Sequence, residues 1–158
     1  MTIETPVRRG GTPQTNTRVR SIDLDQWITL LKRPGIDWIS LQYTDCTDQL
    51  AALQRNHGIV VHHWQQAIDD YDETAALVQS LDVVISVTTS IIHLSGALGQ
   101  RVWVLVNRWP QWRYLRQGRR MPWYPSATLI RQPESGDWQD VFTQVNRRLT
   151  ALQSLPRT

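Results

Sequence analysis

The segment 83–99, VVISVTTSIIHLSGALG, restricts the possible folds more than any other part of the sequence. Residues 83–87 are apolar and β-branched enough to form a buried strand, and three hydroxyl residues then interrupt the run. The apolar character resumes at Ile91 and ends at Gly99, which is typical of a buried helix that stops at a glycine. A strand that passes through a short polar turn into a helix is the repeating unit of a parallel α/β sheet.

The same alternation of strands and helices continues through the rest of the chain. Short apolar runs predict strands at residues 36–42, 59–61, 83–87, 101–106 and 128–130. The segments between these strands have apolar residues at helical spacing, so we expect the links between strands to be helical crossovers. We therefore expect a single α/β domain with a mainly parallel sheet of about five strands and helices on both faces.

Three helices have clear signals in the sequence. The C-terminal one carries a continuous apolar stripe, formed by Trp138, Val141, Phe142, Val145, Leu149 and Leu152. Asp70 with Glu73, and Asp23 with Gln26, have the spacing of N-terminal capping pairs. These patterns predict where three of the helices begin or which face they bury.

Length and composition exclude several classes of protein. The 158 residues fit one domain, with an irregular arm at residues 1–20 and the folded part at residues 21–155. The net charge is +3, and Lys32 is the single lysine, so the positive charge is almost entirely arginine. Cys46 is the single cysteine, which excludes an internal disulfide. No signal peptide or membrane-spanning stretch is recognisable, so we expect a cytoplasmic protein.

The turn formed by Thr88, Thr89 and Ser90 is the first candidate site. In an open parallel sheet, ligands bind beyond the carboxyl ends of the strands, where this turn is predicted to lie. The first amides of the next helix lack intrahelical partners and favour an anion such as phosphate. Helix capping alone is the alternative role for these hydroxyl residues. His93 lies three residues after Ser90 and faces the turn, or else it is an ordinary core histidine.

Other clusters give weaker signals. The glycine-rich fingerprints of dinucleotide and P-loop sites are missing from the sequence. Three histidines lie close together in the sequence, at His57, His62 and His63. Neighbours on a strand point to opposite faces, so no metal site is predicted from them. Three aspartates are interpreted as a solvated loop with a helix cap: Asp69, Asp70 and Asp72.

The segment 108–124, RWPQWRYLRQGRRMPWY, interleaves arginine with tryptophan. A protein interface rich in these two residues is the first interpretation. A nucleotide base with its phosphates is a second, and single-stranded nucleic acid is the last, so no nucleic-acid partner is expected. A solvated loop with partly buried tryptophans needs none of them.

Several motifs in order resemble one family. Residues 81–105, 112–115, 122–126, 129–132 and 136–138 are similar to the nucleotide-sugar half of heptosyltransferase-like glycosyltransferases of the family 9 type. The similarity is to the form found at the C-terminus of bacterial tetratricopeptide-repeat proteins. Shorter matches at residues 20–22 and 40–42 extend the resemblance over most of the chain from about residue 18.

The resemblance implies a fold and a ligand. Such enzymes have the GT-B architecture, in which two Rossmann-like domains face a cleft and the C-terminal one holds the nucleotide sugar. It implies that Thr89, Ser90 and His93, with Thr88 beside them, lie at the donor diphosphate. Gln42 and Tyr43 would then lie near the nucleoside. The donor nucleotide sugar is the expected ligand, and no separate cofactor is implied.

The sequence also departs from the family pattern. Thr88 stands where relatives have an aspartate, and the initial strand with its Gly-Asn-Pro loop is not recognisable. The acceptor-binding half, which commonly supplies the catalytic base, is not recognisable either. We therefore expect a donor-binding domain that is inactive by itself and needs a second chain for catalysis, and we assign no catalytic residue. A non-catalytic protein-interaction module derived from such an enzyme is the alternative.

Overall fold

The structure, a computed structural model, describes the backbone of residues 2–3 and the whole of residues 22–154. Its strands are β1 Thr2–Ile3, β2 Trp38–Ser40, β3 Val61–His63, β4 Val84–Val87, β5 Val102–Val106 and β6 Ala127–Arg131. Its helices are α1 Leu24–Leu31, α2 Thr47–His57, α3 Gln65–Asp69, α4 Tyr71–Gln79, α5 Ser90–Ala97 and α6 Gln139–Gln153, with a short 3-10 helix at Trp112–Tyr114.

The strands form one parallel sheet in the order β3-β2-β1-β4-β5-β6. This is the strand order of the Rossmann fold, so the predicted α/β class with a parallel sheet is confirmed. The described sheet has six strands, where about five were predicted. No helix in the described part of the chain has the length and apolar character needed to cross a membrane.

Strand β1 is the main departure from the sequence-based prediction. Thr2 and Ile3 pair with β2 on one side and β4 on the other, in the middle of the sheet. An irregular arm was predicted for residues 1–20, because a strand of two residues is too short to show a periodic pattern. The rest of that arm, residue 1 and residues 4–20, lies outside the described residues, as do residues 21 and 155 at the two predicted ends of the domain.

Helices cover both faces of the sheet. On one face, α1 and α6 pack on strand side chains such as Ile85 and Trp103. Trp27 of α1 and Phe142 of α6 meet edge to face at 5.1 Å between ring centroids. On the other face, α4 and α5 pack on side chains such as Val84 and Val104. The buried stripe predicted for the C-terminal helix is confirmed, through Val141, Phe142, Val145 and Leu149.

Local details confirm one predicted cap and correct another. The carboxylate of Asp70 accepts from the amides of Asp72 and Glu73 at the start of α4, as predicted. Asp23 occupies the N-cap position of α1, but its side chain makes no capping bond, so that prediction was wrong. At α1 the first turn is closed instead by its backbone, where the amide of Gln26 donates to the Asp23 carbonyl at 3.0 Å.

Strand β3 begins two residues later than predicted. Gly58 ends α2 in the left-handed region at φ 64°, and its amide donates to the carbonyl of Gln54. The amide of Ile59 donates to the carbonyl of Leu53 in the same closing turn. Because these bonds use the first residues after α2 to end the helix, pairing with β2 starts only at Val61.

Candidate functional site

The strand order of the sheet reverses between β1 and β4. These two strands are neighbours in the sheet, yet α5, which follows β4, and α1, the next described helix after β1, lie on opposite faces. Ligands of open α/β sheets bind beyond the carboxyl ends of the strands at such a reversal. The turn of Thr88, Thr89 and Ser90 lies directly after β4 at this point.

The turn does not cap its own helix with a side chain. Thr89 is the N-cap residue of α5, with extended backbone angles, but no side-chain capping bond is made there. The Thr89 hydroxyl lies 3.0 Å from the Ser86 hydroxyl, back toward the strand, and Ser86 donates to the carbonyl of Val87 at 2.9 Å. The side chain of Thr89 therefore does not cap α5.

The exposed side of the turn is the beginning of α5. Thr88 is buried, Thr89 is half-buried, and Ser90 is exposed as the first helical residue. The amide N–H groups of the first helical turn have no partners within the helix. They add a partial positive charge at an edge of the sheet where Ser90 is exposed.

His93 lies one turn further along α5 and contacts two residues from other segments. Its Nδ1 lies 3.3 Å from the Tyr124 hydroxyl, and its Nε2 lies 3.5 Å from a guanidinium nitrogen of Arg113. Burial of the ring, and then the charge of Arg113, lower the pKa of His93 below its ordinary value. Both effects favour the neutral form of the His93 ring.

Gly96 makes room for the tyrosine that contacts His93. A Cβ added at Gly96 would lie 2.3 Å from Cγ and 2.5 Å from Cδ2 of Tyr124, closer than any real contact. The ring of Tyr124 therefore lies directly on the backbone of α5, and its centroid is 5.7 Å from that of His93. The close neighbour of Gly96 is thus this ring.

Arg131 holds the backbone that follows Arg113. From the end of β6, its guanidinium donates to four backbone carbonyls: that of Tyr114 at the end of the 3-10 helix, and those of Leu115, Gln117 and Gly118 in the loop after it. Four bonds from one planar group fix the loop more firmly than a flexible lysine would. The role of Arg131 was missed from sequence, because nothing in its spacing connects it to residues 13 to 17 positions earlier.

Gln42 and Tyr43 follow β2 at the same edge of the sheet. Gln42 is 3% exposed and donates through Nε2 to the Thr44 hydroxyl at 2.8 Å. Tyr43 is 55% exposed. Strand β1 separates β2 from β4, so these residues lie about 10 Å to the side of the turn, at two strand spacings.

The histidines near β3 have separate environments. His63 lies 3.4 Å through Nδ1 from the carbonyl of Ser40 and 2.9 Å through Nε2 from the side-chain oxygen of Gln65. His62 stacks on Trp64 instead. Residues 22–154 contain no group of three His, Cys, Asp or Glu side chains arranged to hold a metal ion.

A surface depression of about 370 Å³ lies at the opposite edge of the sheet. Its lining includes Ile36, Trp38 and Ile59, near the amino ends of β2 and β3, and His57 and His62. Ligands of this class of fold bind at the carboxyl edge, so this depression is separate from the candidate site.

Three exposed tryptophans form what we term the tryptophan patch. Trp109, Trp112 and Trp123 are 66%, 74% and 55% exposed. Trp112 and Trp123 meet edge to face at 6.0 Å, and the guanidinium of Arg108 lies 5.0 Å above the ring of Trp109. The patch follows β5 and adjoins the candidate site through Arg113, the neighbour of Trp112.

Comparison with known proteins gives one informative similarity. The chain is 32% identical over 123 residues to Protein FlbA of Caulobacter vibrioides, a match that covers 75% of this chain and 20% of FlbA. The chain thus corresponds to about a fifth of that larger protein. No protein-family model matches the sequence, and no solved structure matches it significantly.

Proposed function

We propose that this chain is a nucleotide-sugar-binding domain, the donor-binding half of a GT-B glycosyltransferase. The observation that carries the proposal is the position of the turn at Thr88, Thr89 and Ser90. It lies at the reversal of strand order in a Rossmann-type sheet, with the start of α5 exposed and not capped by a side chain. Helix amides at such a point are suited to an anion, and a diphosphate is the anionic part of a nucleotide sugar.

The charges around the turn support a negatively charged ligand. Helix α5 carries no acidic or basic residue except His93, so no carboxylate of this helix opposes an anion. Arg113 adds a permanent positive charge beside His93. Phosphate oxygens would therefore meet helix amides, small hydroxyl groups and one guanidinium.

The nucleoside would extend along the edge of the sheet toward β2. The exposed ring of Tyr43 offers a surface on which a base can stack. Gln42 is held in place by its bond to Thr44 at the end of β2. The separation of about 10 Å from the turn, two strand spacings, is in the range between a base and its second phosphate.

The decisive experiment is calorimetric titration with nucleoside diphosphates and nucleotide sugars. Ser90→Asp would place a carboxylate against the phosphates at an exposed position, so we expect nucleotide binding to be lost while the urea melt stays nearly unchanged. Ser80→Asp is the matched control, because Ser80 is also exposed but lies after α4 at the opposite edge. Equal affinity of wild type and Ser90→Asp, or no nucleotide binding at millimolar concentration, would contradict the proposal.

We expect the isolated chain to transfer no sugar. The described residues form one Rossmann-like unit, and Thr88 stands where similar enzymes have an acidic residue. An acceptor and a catalytic base would come from a second chain or domain. Incubation with labelled nucleotide sugars and candidate acceptors checks this, and turnover would direct attention to Asp69, Asp70 and Asp72.

A protein-interaction module is the second candidate, and the tryptophan patch is the observation that favours it. Residues 108–124 contain five arginines and no acidic residue, beside three exposed tryptophans. Such a surface suits a partner protein rich in carboxylates. Quenching of tryptophan fluorescence by a polyglutamate peptide, reduced in Trp112→Ala and Trp123→Ala, would support this function. Stronger quenching by a single-stranded oligonucleotide would favour nucleic acid instead.

A further inference from the structure

We propose that Arg113 is the cationic ligand of the anion bound at the turn, and that neutral His93 positions the Arg113 guanidinium. This inference rests on the proposed function, because it concerns the same site. In this arrangement His93 holds Arg113 in position and is not itself a positively charged ligand of the phosphate. The three observations behind it are the hydrogen-bond direction at His93, the rigidity of its surroundings and the unpaired charge of Arg113.

The hydrogen-bond direction follows from the chemistry of arginine. A guanidinium only donates, so the Nε2 atom of His93, 3.5 Å from Arg113, must be the acceptor. The ring proton of neutral His93 is then on Nδ1, which donates to the Tyr124 hydroxyl at 3.3 Å. One proton arrangement therefore satisfies both contacts, and a doubly protonated ring would place an N–H against Arg113.

The surroundings hold this arrangement in place. Tyr124 packs on Gly96 without space for a methyl group, which limits how far its hydroxyl can move from His93. Arg131 fixes the backbone of residues 114–118, so the segment after Arg113 is restrained as well. A guanidinium that contacts His93 and stands on a restrained backbone binds an anion with less loss of conformational freedom than a mobile one.

The charge of Arg113 has no carboxylate partner in the part of the chain that the structure describes. Among residues 22–154 its one polar contact is with His93, which uses one of its five N–H donors. His93 lies three residues after Ser90, about 4.5 Å along the axis of α5. The Arg113 guanidinium thus contacts a residue one helical turn from the exposed start of α5, and a guanidinium can bind two phosphate oxygens at once.

The contact between His93 and Arg113 should make anion binding depend on pH. The charged and titratable groups in contact with His93 are Arg113 from the 3-10 helix and Tyr124 from the loop before β6. Protonation of His93 would replace an acceptor by a donor and repel Arg113. Anion binding should therefore weaken as the pH falls from 8 to about 5.5, below the ordinary pKa of histidine. A cationic His93 that contacts phosphate directly would give the opposite trend.

The test is titration of the full chain with inorganic pyrophosphate and with uridine and guanosine diphosphates. We expect Arg113→Gln to bind about 10- to 100-fold more weakly, as for loss of a hydrogen bond to a charged group. Arg116→Gln is the matched control, since Arg116 is exposed three residues further along, and should change affinity less than about twofold. His93→Gln keeps an acceptor for Arg113, so it should retain binding at pH 8 and weaken less than the wild type toward pH 5.5, where protonation of the phosphates affects both proteins alike.

Two outcomes separate the inference from the proposed function. Binding by the wild type with unchanged affinity in Arg113→Gln, or binding that strengthens as the pH falls, overturns the inference alone. No binding of any of the three probes by the wild type overturns both. The tautomer is tested without ligand by nitrogen NMR of the His93 ring: a proton on Nδ1 supports the inference, and a proton on Nε2 or a charged ring at pH 7.5 refutes it. Thermal melts of all variants confirm that each one is folded.

Discussion

Helices α6 and α5 pack on opposite faces of the same sheet, and they contribute to the molecule in different ways. Helix α6 has fifteen residues and buries one apolar stripe, with its other side in water. Helix α5 has eight residues, and five of them are buried, while Ser90 and His93 reach the carboxyl edge of the sheet. Ile91 and Ile92 bury the inner side of α5 from its first turn onward, so Ser90 can be substituted without loss of the packing that holds the helix.

The sharpest test of this contrast is Phe142→Ala. Phe142 is 4% exposed and meets the ring of Trp27, so its loss should leave a cavity and lower the free energy of unfolding by about 3–5 kcal/mol. Urea denaturation measures the effect. Thr143→Ala, on the exposed side of the same helix, should stay within about 0.5 kcal/mol. A loss below about 1 kcal/mol for Phe142→Ala would mean that α6 does not carry the stability assigned to it.

Gly96→Ala tests the packing of α5 against the loop before β6. The added methyl group would meet the ring of Tyr124 and should cost about 1–3 kcal/mol in unfolding free energy. In a Tyr124→Ala background most of the clash disappears, so the same substitution should cost clearly less. A double-mutant cycle measured in urea gives the coupling energy. Equal costs in the two backgrounds would show that Gly96 is not reserved for the ring.

The starts of α4 and α5 should respond differently to alanine. Asp70→Ala removes a side chain that accepts from two amides and should lower the unfolding free energy by about 1 kcal/mol. Ser90→Ala should change it by less than about 0.5 kcal/mol, because Ser90 is exposed and the start of α5 has no side-chain cap. Chemical denaturation of both variants checks this. A larger cost for Ser90→Ala than for Asp70→Ala would make the turn structural.

The smallest expected effect is a change in the pH dependence of stability. The pKa of His93 is lower in the folded protein than in the unfolded chain, so the unfolded state binds more protons in the intermediate pH range. The contribution is fully present above the ordinary histidine pKa of about 6.5 and is lost as the pH falls below it. Unfolding free energies from pH 8 to 5 should therefore decline less in His93→Gln than in the wild type. An identical slope would mean that burial does not perturb His93.

Most of the sheet and its helices are predictable from the sequence, because their signals are local. The apolar stripe of α6 and the Asp70 cap of α4 depend on neighbours within one or two helical turns. The same is true of the strand, turn and helix around Thr89. Strand β1 has no such signal, because two residues carry no period, and its place in the sheet depends on partners some 37 to 82 residues away.

The sequence by itself determined the α/β alternation, the candidate turn and the apolar face of α6, since each follows from residue types at short spacing. Only the tertiary structure decided that β1 lies between β2 and β4, which puts the turn at the reversal of strand order. Only the tertiary structure brought His93 into contact with Arg113 and Tyr124 and placed the Tyr124 ring against Gly96. These contacts link residues 20 to 31 positions apart, and their formation depends on how α5 and two loops pack on a finished sheet rather than on any local preference.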